Sequence, residues 1–591
     1  MDSRANGRTV VVIVVFFLLF VLLPPSLHTW VVGLSTTTAD HARWIRSQYG
    51  HEAAQSQYQE LLHQAEWSLD GDNDKAGTVG VDVHSAALCL AASPDTPERH
   101  DKACKYRDVL QVQQVATLLD GFTKEAVDDM FGIPPDMRYA SSPFYVQQST
   151  AHRHSSKRPP PPPTSKLSCL VSLFLMSRVL SLADTQRLLG GEAPVRLLQD
   201  LGLLFVDNDG SRVIPYVHIC PLCCTGSHGQ GTDLWFVTDL HPSVLSTTTV
   251  GRNSDGTVMY IGPDSLALVQ HTPPVMYAGA ANVLDLCTGS GIQAIVALTN
   301  TDTTHHEQQH HSDNDHNRIP SRATCVDINP RALRFVEFNA LLNGISLDRV
   351  RCICLDITKE PLADVASTLL STTTNKEFDL VLANPPFIPV PPSSTQILQR
   401  YGLFSSGGAD GETVLKRVVE LASRLLHDYG TAAIVSEFVN APSSTNNNNN
   451  TDQDNDQPSL LCRIQSWWTS QGMGVLFTNE FPVDANVYAA RRADSVQEET
   501  IWRQHLQDSN VRCVSPGLLY LRKVNHSGTT IGDDSLSLLP KATRRASLKL
   551  TSAPVPRTNK GSIWTPSNQD AVTFTRGFLE RFMIQEQQPD Q

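Results

Sequence analysis

The sequence has no surplus of positive charge. Lysine and arginine number 47 against 60 aspartate and glutamate residues, a formal net charge of −13, which argues against a protein that coats nucleic acid through a broad basic surface. A dense cysteine framework is also missing. Twelve cysteines are spread from Cys89 to Cys513, so this is no small disulfide scaffold, and most of them read as buried thiols. Long hydrophobic runs are equally scarce. One run, Val10 to Leu23, follows Arg4 and Arg8 and is closed by Pro24-Pro25. It is shorter than the ~20 residues of a membrane-spanning helix. It fits the apolar region of a signal peptide or, extended through Ser26 to Gly33, a signal-anchor. The expectation is a signal or anchor over residues 1–35, with membrane contact there. The compartment expected with it is endomembrane or reached by the secretory route, such as a plastid, or otherwise the cytoplasm.

What is present divides the chain further. Residues 36–164 are mostly polar, with helical patches such as Val109 to Leu119, and end in the stiff linker Arg158 to Pro163. Residues 165–260 form a compact pattern. Apolar runs at Leu170 to Leu182 and Val195 to Leu201 read as helices. The strands Leu203 to Val206 and Val213 to Val217 flank a turn-rich tip at Asp207 to Gly210 and read as a hairpin. Helices followed by a hairpin suggest a small winged-helix-like α+β module. Residues 166–212 hold five basic and five acidic side chains, which gives little attraction for phosphate. Two insertions are low-complexity: His/Asp-rich Thr301 to Asn317 and polyasparagine Asn446 to Asn450. Residues 526–591 read as a disordered, basic, Ser/Thr-rich tail.

Between residues 261 and 525 strand and helix signals alternate. Asn282 to Leu286 is a short apolar strand, Cys287 to Gly291 a tight turn, and Ile292 to Leu298 the start of a helix. Ala323 to Asp327, Val350 to Leu355 and Phe378 to Ala383 are further strands. Thr431 to Val439, Gly474 to Phe481 and Leu518 to Val524 supply more. Asn329 can cap the next helix, Pro330 suits its first position and Gly344 stops it. Such alternation means an α/β fold, a mostly parallel sheet covered by helices on both faces. Ligands of such sheets sit outside the carboxyl ends of the strands. The polar residues fall there. Asp285 closes the first strand, Asp327 the second and Asp356 the third, and Asn384-Pro385-Pro386-Phe387 follows the fourth.

Asp285-Leu286-Cys287-Thr288-Gly289-Ser290-Gly291 resembles the first motif of class I S-adenosylmethionine-dependent methyltransferases. Asp327, Asp356 and Asn384-Pro385-Pro386-Phe387 follow in the order and spacing of the later motifs. The last motif resembles that of enzymes methylating a planar nitrogen, among them glutamine methyltransferases of release factors and ribosomal proteins and amino methyltransferases of DNA and RNA bases. Tyr260 to Ser265 and Gly407 to Gly411 extend the likeness to bacterial proteins of the small methyltransferase domain type, which also carry an N-terminal accessory module. The resemblance covers Lys166 to Val524 of 591 residues. It implies a Rossmann-like methyltransferase sheet and S-adenosylmethionine as cofactor. It places Asp285, Cys287, Gly289 and Gly291 against the cofactor, with Cys287 standing where many relatives have glycine. It also implies that Asp327 holds ribose, that Asp356 lies by adenine, and that Asn384, with Pro385, Pro386 and Phe387, meets both cofactor and substrate.

The chemistry agrees with that placement. The lone pair of an amide or aromatic amine is delocalised, so the nitrogen is a poor nucleophile. The Asn384 side-chain carbonyl and the Pro385 backbone carbonyl can accept its two hydrogens and hold it in line with a methyl donor. Phe387 can stack on a flat substrate. Tyr401, Gly407 and Gly408 read as a substrate loop, or as a surface loop that caps the following helix. Cys220, Cys223 and Cys224 have half the spacing of a zinc site, but no second cysteine pair follows, so no metal is expected. The function expected is N-methylation of a planar nitrogen, with a protein glutamine in the translation machinery ahead of an RNA or DNA base amine. A non-catalytic scaffold is the alternative of a different class.

Overall fold

The computed structural model describes residues 102–131, 162–442 and 458–584, with breaks of which the longest are 241–257, 309–320 and 525–547. The expected signal or anchor over residues 1–35, Tyr401 and the polyasparagine run lie outside the described residues. Among the described residues, no helix is long and apolar enough to cross a membrane.

The N-terminal part begins with α1 (Lys102–Leu118) and α2 (Lys124–Phe131). Next come α3 (Lys166–Leu170), prolonged by a π-helical turn over Val171–Leu175, β1 (Leu180–Ser181), α4 (Leu182–Leu189), α5 (Glu192–Asp200), β2 (Leu204–Val206) and β3 (Arg212–Pro215). The three strands lie in the order β1-β3-β2. A single helix over Leu170 to Leu182 does not form. Ser177 sits at φ 49°, in the left-handed region, and ends the first helix. Ser181 then caps α4, and Gly190 closes it at φ 92°. The β2–β3 tip is tied by Asp207, whose carboxylate accepts the Ser211 and Arg212 amides, each at 2.9 Å. A separate hairpin of β4 (Val217–Thr225) and β5 (Gly231–Asp239) follows. Its alternation buries Cys220 and Cys224 and exposes Cys223 on the other face.

From α6 (Pro263–His271) onward the chain builds one large sheet. Its elements are β6 (Asn282–Leu286), α7 (Ile292–Gln308), β7 (Arg322–Asp327), α8 (Pro330–Leu342), β8 (Val350–Cys354), α9 (Leu362–Leu370), β9 (Phe378–Ala383), α10 (Thr413–Leu425), β10 (Leu426–Val439), α11 (Leu460–Trp467), β11 (Gly472–Asn479), β12 (Val483–Asp484), α12 (Ala485–Arg492), α13 (Val496–Asp508), β13 (Cys513–Lys523), β14 (Leu548–Val555) and α14 (Gln569–Ile584). The strand order is β14-β11-β13-β10-β9-β6-β7-β8, with β12 beside β13. Strands β8, β7, β6, β9 and β10 are parallel, and β13 is antiparallel to both β10 and β11. The central strands bury both faces in alternation. Val283, Leu380 and Leu382 pack with Ile295 of α7, while Leu284, Leu286, Val381 and Ala383 pack with Leu421 of α10. That is why these strands read as continuous apolar runs.

Three expected boundaries shift. The helices α1 and α2 are not set apart from the accessory module at residue 164: Val112, Val115, Leu119 and Phe122 share one core with Leu170 and Phe174. That core also takes in Phe335 and Phe338 of α8, so no core boundary falls at residue 260. The tail expected to be disordered over 526–591 supplies β14, paired parallel with β11 from Leu548↔Gly472 to Val555↔Asn479, and the helix α14. Exposed backbone on the β11 edge offers hydrogen bonds to any extended segment, and the Ser/Thr-rich composition hid the Leu548-Lys549-Leu550 alternation. The His-rich insertion begins as a continuation of α7, which runs to Gln308.

Candidate functional site

The chain leaves β6 outward through β7 and β8, then returns to place β9 on the other side of β6. This reversal leaves a crevice at the carboxyl ends of β6 and β9, the place where open α/β sheets bind ligands. A cavity of about 340 Å³ opens there, within the range of small-molecule sites. Of the residues singled out in the sequence, Cys287, Gly289, Asp327, Asp356, Asn384 and Pro386 line it; Asp285, Gly291, Pro385 and Phe387 do not.

The turn after β6 is tight because three residues take positive φ: Cys287 at 58°, Gly289 at 54° and Gly291 at 80°. A side chain at Gly289 would meet no protein atom within 4 Å and would project into open space beside the cavity it lines. A side chain at Gly291 would meet Val336 of α8 at 3.1 Å. Gly289 thus keeps the cavity open, while Gly291 lets α8 approach. Asp285 lies fully buried beneath the turn. Its Oδ2 accepts the Thr288 hydroxyl at 2.6 Å and the Ala294 amide at 3.2 Å. Among the described residues its Oδ1 has no hydrogen-bond partner. Burial raises its carboxyl to about 7, against the Thr288 and Ala294 hydrogen bonds.

Asp327 ends β7 and reaches back across the turn. Its Oδ2 accepts the Gly289 amide and its Oδ1 the Asn329 amide, both at 2.9 Å. It therefore ties the two strand ends together and keeps lone pairs for hydroxyl groups. Burial holds its carboxyl above the usual range. Asn329 caps α8 as the sequence suggests, accepting from the Arg331 amide at 3.0 Å. Asp356 behaves differently. Burial alone would raise it, but the Thr358 hydroxyl at 2.6 Å, the Thr358 amide at 3.0 Å and Lys359 at 3.1 Å bring it below its ordinary value. Gln293, not singled out in the sequence, also lines the cavity. It is 4% exposed, and its Nε2 has no partner among the described residues.

Asn384 follows β9 at the cavity's edge. Its Nδ2 donates to Asp264 Oδ2 at 2.7 Å and to Ser265 Oγ at 3.0 Å. Phe387 turns away from the cavity and packs against Trp564, ring centroids 5.4 Å apart, so the chain's C-terminal part buttresses the tetrapeptide. The glycine-rich segment after it serves the same loop. The Gly407 amide donates to Ile388 O at 2.9 Å, and a side chain at Gly407 would meet Phe387 Cα at 2.7 Å. Asp410 accepts the Glu412 amide at 2.9 Å, just before α10. Among the described residues, no three His, Cys, Asp or Glu side chains are grouped to hold a metal.

The donor set fits S-adenosylmethionine. Two buried polar atoms, Asp285 Oδ1 and Gln293 Nε2, await partners, the Gly289 cradle is open, and Asp327 stands at the end of β7. The sheet is Rossmann-like, with the cavity at its switch point. No family model matches the chain. It is 28% identical over 176 residues to a release factor glutamine methyltransferase of Mycolicibacterium smegmatis, covering 29% of this chain and 51% of that protein. The same identity holds over 198 residues with a release factor glutamine methyltransferase of Mycobacterium tuberculosis, 32% of this chain and 56% of that protein. The chain thus spans about half the length of the curated relatives it matches. Among solved structures, an O-methyltransferase from Bacillus cereus in complex with SAH aligns over 46% of this chain and 87% of that one, at 10% identity and a TM-score of 0.24.

Proposed function

We propose that the protein transfers a methyl group from S-adenosylmethionine to the side-chain amide nitrogen of a glutamine in a translation release factor. One observation carries this reading: Asn384 is clamped by its amide nitrogen to Asp264 and Ser265, which turns its carbonyl oxygen free to accept a substrate N–H beside a cofactor-sized cavity. Similarity to release factor glutamine methyltransferases over the shared region supports the choice of substrate.

S-adenosylmethionine, when bound, supplies an electrophilic methyl group. The protein's contribution is position and electrostatics. Gln293, the Gly289 turn, Asp327 and Asp356 are the residues that would hold the cofactor, and Asp285 braces that turn from beneath. Asn384 Oδ1 and the Pro385 carbonyl accept the two hydrogens of the substrate amide. That withdraws its lone pair from conjugation and orients it toward the cavity. Proline at 385 has no N–H to compete for the acceptor and stiffens the loop.

The test is transfer of radiolabelled methyl to purified release factor by the full-length protein. Asn384→Ala is expected to lower kcat by about 100-fold or more, the size typical of losing one transition-state hydrogen-bonding group. Label appearing in RNA or DNA instead of protein would move the reading to a base amine. Unchanged transfer by Asn384→Ala would remove Asn384 from the mechanism.

A further inference from the structure

Nothing in Asn384-Pro385-Pro386-Phe387 itself decides which end of the Asn384 amide faces the substrate. Turned by 180°, the side chain would present two donors where an acceptor is needed. The decision is made 120 residues upstream, in the first turn of α6. There Gly262 precedes the helix, Pro263 takes its first position and Asp264 follows. A side chain at Gly262 would collide with the Asp264 carboxylate, so glycine makes room for the carboxylate to turn inward. Asp264 is 3% exposed. An ionised carboxylate has only acceptors, so it can take the Asn384 amide nitrogen and not its oxygen.

We propose that Asp264, assisted by Ser265, is a positioning residue for methyl transfer: it locks the Asn384 amide with the oxygen toward the substrate and places negative charge behind that oxygen. This rests on the amide-methylation reading above. As the N–C bond forms and the methyl's bond to the sulfonium breaks, the sulfur keeps the electron pair and the substrate nitrogen becomes cationic until its surplus proton passes to water. The chain substrate N–H···Oδ1=C–Nδ2–H···Oδ2 of Asp264 aligns its dipoles with that developing charge. A charge-assisted hydrogen bond on Nδ2 also makes Oδ1 a stronger acceptor.

The charges around Asp264 leave it available for this role. Glu437, near the end of β10, is a carboxylate that acts on Asp264, and it is already held by Arg492 at 2.8 and 2.9 Å and by the Tyr488 hydroxyl at 2.6 Å, both from α12. Tyr260, on the segment before α6, feels both charges: burial and Asp264 push its hydroxyl up, and Arg492 opposes them. Burial pushes the Asp264 carboxyl up, partly countered by Asn384 and the Ser265 amide. Its charge is therefore lost on acidification sooner than that of an exposed aspartate.

The experiment uses the full-length protein with Asp264→Asn, which keeps an acceptor but removes charge, and Asp264→Leu, which removes both. Two readouts are taken: steady-state methylation of the release factor, and the ¹⁵N side-chain amide resonance of Asn384, assigned by its loss in Asn384→Ala. Asp264→Asn is expected to lower kcat about 10-fold and Asp264→Leu about 100-fold, with KM and cofactor affinity within about threefold of wild type. In wild type the Asn384 amide resonance shifts with pH as Asp264 titrates, and this shift vanishes in Asp264→Asn. A kcat within twofold of wild type in both variants, or a pH-dependent shift that survives in Asp264→Asn, overturns the proposal. If the wild type labels no release factor, the substrate reading fails and the amide resonance alone decides the positioning claim.

Discussion

At the scale of single residues the site depends on carboxylates whose surroundings drive them apart. Asp285 is raised to about 7 by burial, whereas Asp356, hydrogen-bonded by Thr358 and Lys359, lies below its ordinary value. A carboxyl raised above its unfolded value is protonated in the free protein below about pH 7. The ionised form braces the glycine turn through Thr288 and Ala294, so a turn set for the cofactor favours loss of that proton. S-adenosylmethionine affinity is therefore expected to be level above pH 8 and to fall by up to about tenfold per pH unit below 7. Calorimetry across pH 5.5–8.5 checks this, and a flat profile takes the Asp285 charge out of cofactor binding. The residues of this site that could be read from sequence share one property: they are contiguous motifs at strand ends. Asp285, Asp327 and Asn384 were legible for that reason. Gln293 was not, because a single amide in a helix has no spacing to betray it. Asp264 stood in a segment noted only for its likeness to relatives, since its partner Asn384 is 120 residues away.

At the scale of elements, loops near the site are held by backbone contacts that forbid side chains. Gly407 lies against Phe387, and a side chain there would approach the Phe387 Cα and carbonyl carbon within 3 Å. Gly407→Ala must push the tetrapeptide aside. The expected outcome is a kcat lower by about 10- to 100-fold, as misplacement of a reacting group costs, with cofactor affinity retained. The same loss in cofactor affinity would place the damage elsewhere. The central strands and their helices were legible because apolar runs and caps are local signals. The helix α4 was missed because Ser177 breaks the preceding helix by a backbone conformation that no pattern of apolar residues encodes. Strand β14 was missed because its stability comes from pairing with β11, not from its own composition.

At the scale of the whole molecule, the β4–β5 hairpin and the glycine turn after β6 are joined through α8. Asn339 of α8 and Asn343, the helix's C-cap, lie about one turn apart, a rise of about 6 Å, close to the two-residue step of a strand. Each grips β5 with both ends of its amide. Asn339 holds the Val237 amide and carbonyl at 2.7 and 3.0 Å, and Asn343 holds those of Trp235 at 2.9 and 2.8 Å. Asn339 also donates to Ser290 O of the glycine turn at 2.9 Å. At the next strand position Asp239 receives Arg331 Nε at 2.9 Å. With a core that runs from α1 through α8 and a sheet completed by β14, the full-length protein is expected to unfold in a single calorimetric transition. Asn339→Ala leaves buried backbone groups unpaired and is expected to lower stability by about 3 kcal/mol. Two separate transitions would contradict the shared core. The β2–β3 hairpin was legible in the sequence, but the junction of β5 to α8 was not, because paired asparagines in and beside an apolar helix look like surface residues until a strand edge is set against them.

The central claim is that the switch-point cavity is an S-adenosylmethionine site. Titration calorimetry of the full-length protein with S-adenosylmethionine, beside Asp327→Ala and Asn384→Ala, tests it most directly. The expected result is one site of micromolar affinity, weakened about tenfold or more by Asp327→Ala, or about 1.4 kcal/mol, and little changed by Asn384→Ala. A folded protein that takes up no S-adenosylmethionine, or one that binds it equally well without Asp327, would rule out the switch-point cavity as the cofactor site.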